Sequence, residues 1–222
     1  MTSPARAHFL RATAAEASAS AVSGQPLENC TQYELMLLKL AEDRRRLKDV
    51  QSMEAKAELK RKLLPDYAPW VEGAISVGKG AQDDVLMTVM LWRIDAGDYS
   101  GALDIAEYAL PYQLVMPDRY QRTTATTLAE EVADAAKRAR DGKQHFETAI
   151  LHRCQALTEA EDMHDQVRAK LHKELGLLQE ASDPAAALAN LRRAKALHEK
   201  VGVVKDIERI EKAIKNNTAP GG

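Results

Sequence analysis

From Tyr33 to Leu64 the chain contains neither proline nor glycine, and an unbroken stretch of that length limits the fold more than any other feature. Apolar residues within it, Met36, Leu40, Leu47, Val50 and Ala57, recur at steps built from threes and fours. That spacing marks one face of a helix, not the alternation of a strand. The reading is a single helix of about 30 residues, near 45 Å long. Thr31 followed by Glu34 has the form of a capping box at its start. Pro65 and Pro69 are expected to stop this helix and begin the next, which carries Trp70, Val71 and Ile75 and ends at Gly78 or Gly80.

The rest of the chain reads the same way. Aromatic residues make up 5% of the 222, and alanine and leucine outnumber the β-branched types, which favours helices over sheets. Val85 to Trp92 is apolar nearly all round and should be the most buried helix. Asp83 and Asp84 suit its N-terminal dipole and Gly97 its end. Further helices are expected over roughly 100–114, 127–140, 145–160, 165–181, 184–201 and 203–216, with Ile207, Ile210 and Ile214 as a stripe in the last. Residues 1–28, rich in Ala, Ser and Thr, read as a mobile tail with a fraying helix near Arg11 to Ser20, and 216–222 as a second disordered tail. Asp98-Tyr99-Ser100-Gly101-Ala102-Leu103 echoes Asp183-Pro184-Ala185-Ala186-Ala187-Leu188, as in tetratricopeptide-like hairpins. No apolar run approaches the roughly 18–20 residues of a membrane span. Cys30 and Cys154 match no metal spacing and are too few for a disulfide framework, so the expected setting is a reducing one.

Few motifs carry chemistry. Gly73-Ala74-Ile75-Ser76-Val77-Gly78-Lys79 fits seven positions of a phosphate-binding loop, but Gly80 stands where a Ser or Thr hydroxyl should meet the metal. Its lead-in is a proline-punctuated turn into a helix, not a strand. Asp83 and Asp84, adjacent on a helix, point about 100° apart and cannot share one ion without a third group; helix-end charge is their simpler role. The six histidines fall in no zinc pattern, and no cofactor is implied. Arg44, Arg45, Arg46, Lys48, Lys56, Lys60, Arg61 and Lys62 on the long helix face Glu42, Asp43, Asp49, Glu54 and Glu58, a local charge of +3 in a chain of net charge −2. These eight are the candidate DNA contacts. A second cluster, including Arg192, Arg193, Lys195, Arg209 and Lys212, is set among acids at helical pairing distance.

Leu63-Leu64-Pro65-Asp66-Tyr67-Ala68-Pro69-Trp70-Val71-Glu72-Gly73, running on through Gly78-Lys79-Gly80-Ala81-Gln82-Asp83-Asp84-Val85 to Trp92-Arg93-Ile94-Asp95-Ala96-Gly97-Asp98-Tyr99, resembles the small terminase subunit of temperate contractile-tailed phages. That family is often called the terminase endonuclease subunit. Met1 to Ala5, Tyr33-Glu34, Glu130 to Ala133 and Val167 to Lys173 fit the same pattern, so the resemblance covers nearly the whole chain. It implies a helical protein that forms a ring-like homo-oligomer and recognises the packaging-start site on concatemeric double-stranded viral DNA. It also implies recruitment and stimulation of a large terminase subunit, which hydrolyses ATP and is usually credited with the nuclease centre. Some relatives end in a Lys/Arg-rich tail that this chain lacks.

The expectation is therefore an all-α protein in which a long N-terminal helix leads into a bundle. Residues 29–142 would form the long helix and central core, and 143–215 tetratricopeptide-like hairpins. Met36, Leu40, Leu47 and Val50 are the expected subunit seam, and the host cytoplasm the expected location. Two other readings stand beside it: a metal-dependent endonuclease using Asp83 or Asp84, and a helical-repeat adaptor without DNA contact.

Overall fold

A computed structural model describes residues 3–27, 30–117 and 122–218. Among them the regular structure is helical throughout: α1 (Pro4–Ser20), α2 (Thr31–Asp49), α3 (Met53–Val77), α4 (Asp84–Ala96), α5 (Tyr99–Ala109), α6 (Thr124–Asp141), α7 (Thr148–Thr158), α8 (Asp165–Gln179), α9 (Pro184–Leu197) and α10 (Val204–Thr218). The all-α class is as expected. A lone bridge between Pro26 and Gln82 is the sole extended pairing among the described residues. The chain divides into two compact units, Met1–Thr124 and Ala125–Gly222.

In the first unit α4 is the central element. Ten of its residues, among them Val85, Met87, Met90, Trp92 and Ile94, are buried, as its unbroken apolar sequence requires. Asp83 caps it, its side chain accepting from the N–H groups of Val85 and Leu86, and Gly97 ends it at φ 86°. α3 and α5 both pack against it, and α2 reaches it through the Tyr33 hydroxyl, which accepts from Asp84 N–H, and through Arg44, which donates to Thr88.

Three local expectations are corrected. The helix foreseen over 33–64 is two helices: Val50 takes an extended conformation, and Ser52 starts α3 by accepting from Ala55 N–H. A serine cap needs neither Pro nor Gly, so the break left no breaker in the sequence. Thr31 is the first residue of α2 and not its cap; Cys30 holds that position with no side-chain bond. Pro65 and Pro69 lie inside α3. Each removes one helical N–H, but the fully buried Tyr67 and Trp70 anchor this turn from within the core.

The N-terminal segment expected as a mobile tail is a helix over Pro4–Ser20, capped by Ser3 and laid along α3. Leu10, Ala14 and Ser18, four residues apart, are its buried face. Residues 1, 2 and 28 of that expected tail, and 219–222 of the C-terminal one, lie outside the described residues; Asn216 is within α10.

The second unit stacks its later helices in order, α7 on α8, α8 on α9, and α9 on α10. Ala187, Leu191, Val203 and Ile210 form its distal core, with Ile207 and Ile214 of the expected stripe packed against it. Arg140 of α6 makes two hydrogen bonds to the buried Glu174 of α8, at 2.8 and 3.1 Å. The echo between 98–103 and 183–188 is one of capping: Asp98 accepts from Gly101 N–H and Asp183 from Ala186 N–H. The two helices belong to different units with different neighbours, so the echo does not establish a tetratricopeptide repeat.

Candidate nucleic-acid interface

Each glycine of the loop-like motif Gly73–Gly80 has a packing reason. A Cβ on Gly73 would lie 2.2 Å from the Arg11 carbonyl oxygen, so glycine is what lets α1 approach α3. Gly80 has φ 80°, lies against the Tyr112 ring, and donates its N–H to the Tyr108 hydroxyl at 2.9 Å. The segment is a joint between helices and presents no phosphate cradle.

Asp83 is similarly committed. One carboxylate oxygen accepts from Val85 and Leu86 N–H at 2.8 and 3.0 Å, and the other from Trp70 Nε1–H at 2.7 Å. Burial pushes its pKa up to about 6, against the pull of these hydrogen bonds. Asp84 donates its N–H to the Tyr33 hydroxyl and accepts from Gln82 Nε2 at 3.3 Å. Among the described residues no three His, Cys, Asp or Glu side chains gather as a metal site. Asp83, read as a possible ligand of a nuclease metal, is the cap of the most buried helix.

The eight cations separate into two sets. Arg44, Arg45 and Lys48 from the last turns of α2, with Lys56 and Lys60 from the first turns of α3, line one open groove of about 550 Å³. Leu47, Ala41 and Trp92 supply its apolar wall. The turn at 50–52 makes this possible, because a continuous helix would have carried Lys56 and Lys60 away from Arg44 at 1.5 Å per residue. Within the groove, Arg44 donates to the Thr88 hydroxyl at 2.5 Å. Arg45 pairs with Glu42 one turn away, and Lys60 with Asp95 of α4. Lys48 and Lys56 have no hydrogen bond or ion pair among the described residues.

Arg46, Arg61 and Lys62 lie outside the groove. Arg46 turns to Asp43 at 2.9 Å. That carboxylate is buried, which opposes its charge, yet hydrogen bonds from Lys39 and the Tyr67 hydroxyl hold its pKa below the usual range. Arg61 donates to the Ala96 carbonyl and pairs with Glu58, which also receives Lys62. In the second cluster Arg192 pairs with Glu211, and Arg209 with Glu180 and Asp206.

The sequence reading missed Thr88, Trp92 and Asp95. All three sit on α4, whose continuous apolar character marked it as core and hid the edge it turns toward α2 and α3. The seam residues Met36, Leu40 and Leu47, expected between subunits, are buried within the chain itself, whereas Leu35 and Leu38 on the same helix are 52% and 67% exposed.

Residues 37–166 match the family model of the phage small terminase subunit, a span that includes every groove residue. The chain is 50% identical over 221 residues to the terminase, endonuclease subunit, of Escherichia phage P2, covering 99% of this chain and 89% of that protein. It is 24% identical over 192 residues to a probable terminase, endonuclease subunit, of Haemophilus phage HP1, covering 80% and 68%. No solved structure matches.

Proposed function

Because this chain belongs to the phage small terminase subunit family, we propose that it is the DNA-recognising component of a packaging terminase. In this reading it binds the packaging-start site of concatemeric viral DNA as a homo-oligomer and delivers that DNA to the large, ATP-hydrolysing subunit. The observation that carries the proposal is the groove: five cations from two helices converge on one open surface, and two of them are without a counter-charge among the described residues. Phosphate contacts of this kind give affinity without sequence information. The site-specific part of recognition then comes from how several copies are spaced along the duplex.

One groove offers two to four phosphate contacts, which is weak binding at physiological salt. Several grooves held in one assembly raise the affinity through effective concentration. With Met36, Leu40 and Leu47 enclosed in the chain, the subunit contact passes to the exposed Leu35 and Leu38 of α2, with Phe9 and Val22 as further exposed apolar groups of the same unit. The relatives are named as endonuclease subunits; for this chain Asp83 supports no such chemistry, and cleavage is assigned to the large subunit.

The test is duplex binding by the full chain, followed by fluorescence anisotropy over a salt series. Lys48→Ala with Lys56→Ala should weaken binding and flatten the log–log salt slope by about 2 per engaged protomer. An unaltered slope would move the DNA contact to another face.

A further inference from the structure

We propose that Asp95 is a built-in counter-ion that tunes the groove: it holds Lys60 while DNA is absent and yields it to a backbone phosphate when DNA binds. The inference rests on the reading of the groove as the DNA interface, and it names a residue of α4 that the basic cluster alone does not indicate.

Lys60 lies one helical turn beyond Lys56 on α3, so the two ammonium groups share a face. Lys56 is without a partner among the described residues, whereas the Lys60 ammonium is taken by Asp95. Asp95 follows Trp92 by three residues on α4, which places it beside the groove's apolar wall. The side chains of Lys60 and Asp95 are 13% and 35% exposed. The pair therefore stands at the groove margin, open to solvent from the acid's side.

A partly exposed ion pair contributes little to stability. Exchanging the carboxylate for a phosphate oxygen costs correspondingly little, and DNA adds the entropy of released counterions. Glu42 is a second acid on this surface, but it pairs with Arg45 along one helix, and both groups are well exposed. Asp95 differs in reaching across from another element to a lysine that is mostly covered. Its charge cancels that of Lys60, so one of the five cations adds nothing to the groove's field until the pair opens.

Removing the charge from Asp95 at nearly constant volume tests this. In full-length protein, Asp95→Asn should bind a DNA duplex more tightly at every salt concentration, with a log–log slope steeper by about 1 per engaged protomer. In the parent chain the Asp95 carboxylate freed by Lys60 takes up a cation and cancels one released ion; without it one more ion is released net, and a slope of about 0.9 makes the gain grow about eightfold between 1 M and 0.1 M salt. Asp95→Glu should restore the parental slope, and Lys60→Gln added to Asp95→Asn should erase the gain. A merely structural role for Asp95 would lower the melting temperature and leave the slope alone. If Asp95→Asn folds poorly, Asp95→Ser carries the same expectation. An unchanged slope in Asp95→Asn or Asp95→Ser, alongside weaker binding by Lys48→Ala/Lys56→Ala, overturns the counter-ion role and leaves the groove in place. An unchanged slope in both overturns the groove and this inference with it.

Discussion

One carboxylate, Asp83, ties three helices of the first unit together. It caps α4, accepts the Trp70 indole of α3, and interacts electrostatically with Tyr33 of α2, whose ring stacks on Trp70 at 5.8 Å between centroids. Burial raises its pKa to about 6, so the folded chain keeps this proton at pH values where the unfolded chain has released it. Between about pH 4 and 6 the unfolded state binds fewer protons, and the contribution of Asp83 to stability falls as pH rises, levelling off above 6. Asp43 works in the opposite sense. Its folded pKa lies below the ordinary value, so its contribution is complete above about pH 4 and is lost as pH falls through the lower value. The Trp70 indole N–H donates directly to Asp83, and its NMR resonance should titrate with a midpoint near pH 6 while that of Trp92 stays level. Asp83→Asn should abolish that titration. A Trp70 signal constant from pH 4.5 to 7.5 would show that Asp83 does not change charge there.

At the scale of the element, the packing of α1 on α3 turns on Gly73. A side chain there meets backbone, the Arg11 carbonyl, and the Ala14 Cβ at 2.8 Å, neither of which can move aside without shifting α1. Gly73→Val should detach α1 while the α3–α5 packing persists, read as faster tryptic cleavage at Arg6 and Arg11 with helical content largely kept. Cleavage at the parental rate would place the tie elsewhere; the exposed Arg11–Glu72 pair is worth too little to replace it. This helix was hidden in the sequence because its buried face is Leu10, Ala14 and Ser18, two small residues and one leucine, which hydrophobic periodicity does not register. α4 was legible for the converse reason: continuous apolar residues, an aspartate cap and a terminal glycine all agree. The candidate site was half legible. Charge spacing picked out eight cations, but sorting them needed the serine-capped turn at 50–52 and the acids of α4, and both depend on tertiary position. Asp43 shows the same limit, since an acid that the sequence sets only against the basic cluster is buried and held by Lys39, Arg46 and Tyr67.

At the scale of the whole molecule, the proposed DNA grip is collective, and assembly and contact can be separated by mutation. Leu35 and Leu38 lie one turn apart on the outer side of α2, where the chain itself gives them little cover, and burying both against another copy would add several kcal/mol of hydrophobic stabilisation per contact. Leu35→Glu with Leu38→Glu places two like charges on that surface without disturbing Met36 or Leu40, the residues that hold α2 to its own core. The expected result by light scattering is an oligomer for the parent chain and a smaller species for the variant at the same micromolar concentration. The variant's DNA affinity should drop by one to several orders of magnitude through lost avidity, although every groove cation is intact. Lys48→Ala/Lys56→Ala should give the mirror image, a parental mass with a flattened salt slope. A parental mass for the leucine variant would assign assembly to another surface. A parent chain that is monomeric and still binds a duplex tightly at physiological salt would remove the collective grip altogether, because five cations in one groove are too few to account for it.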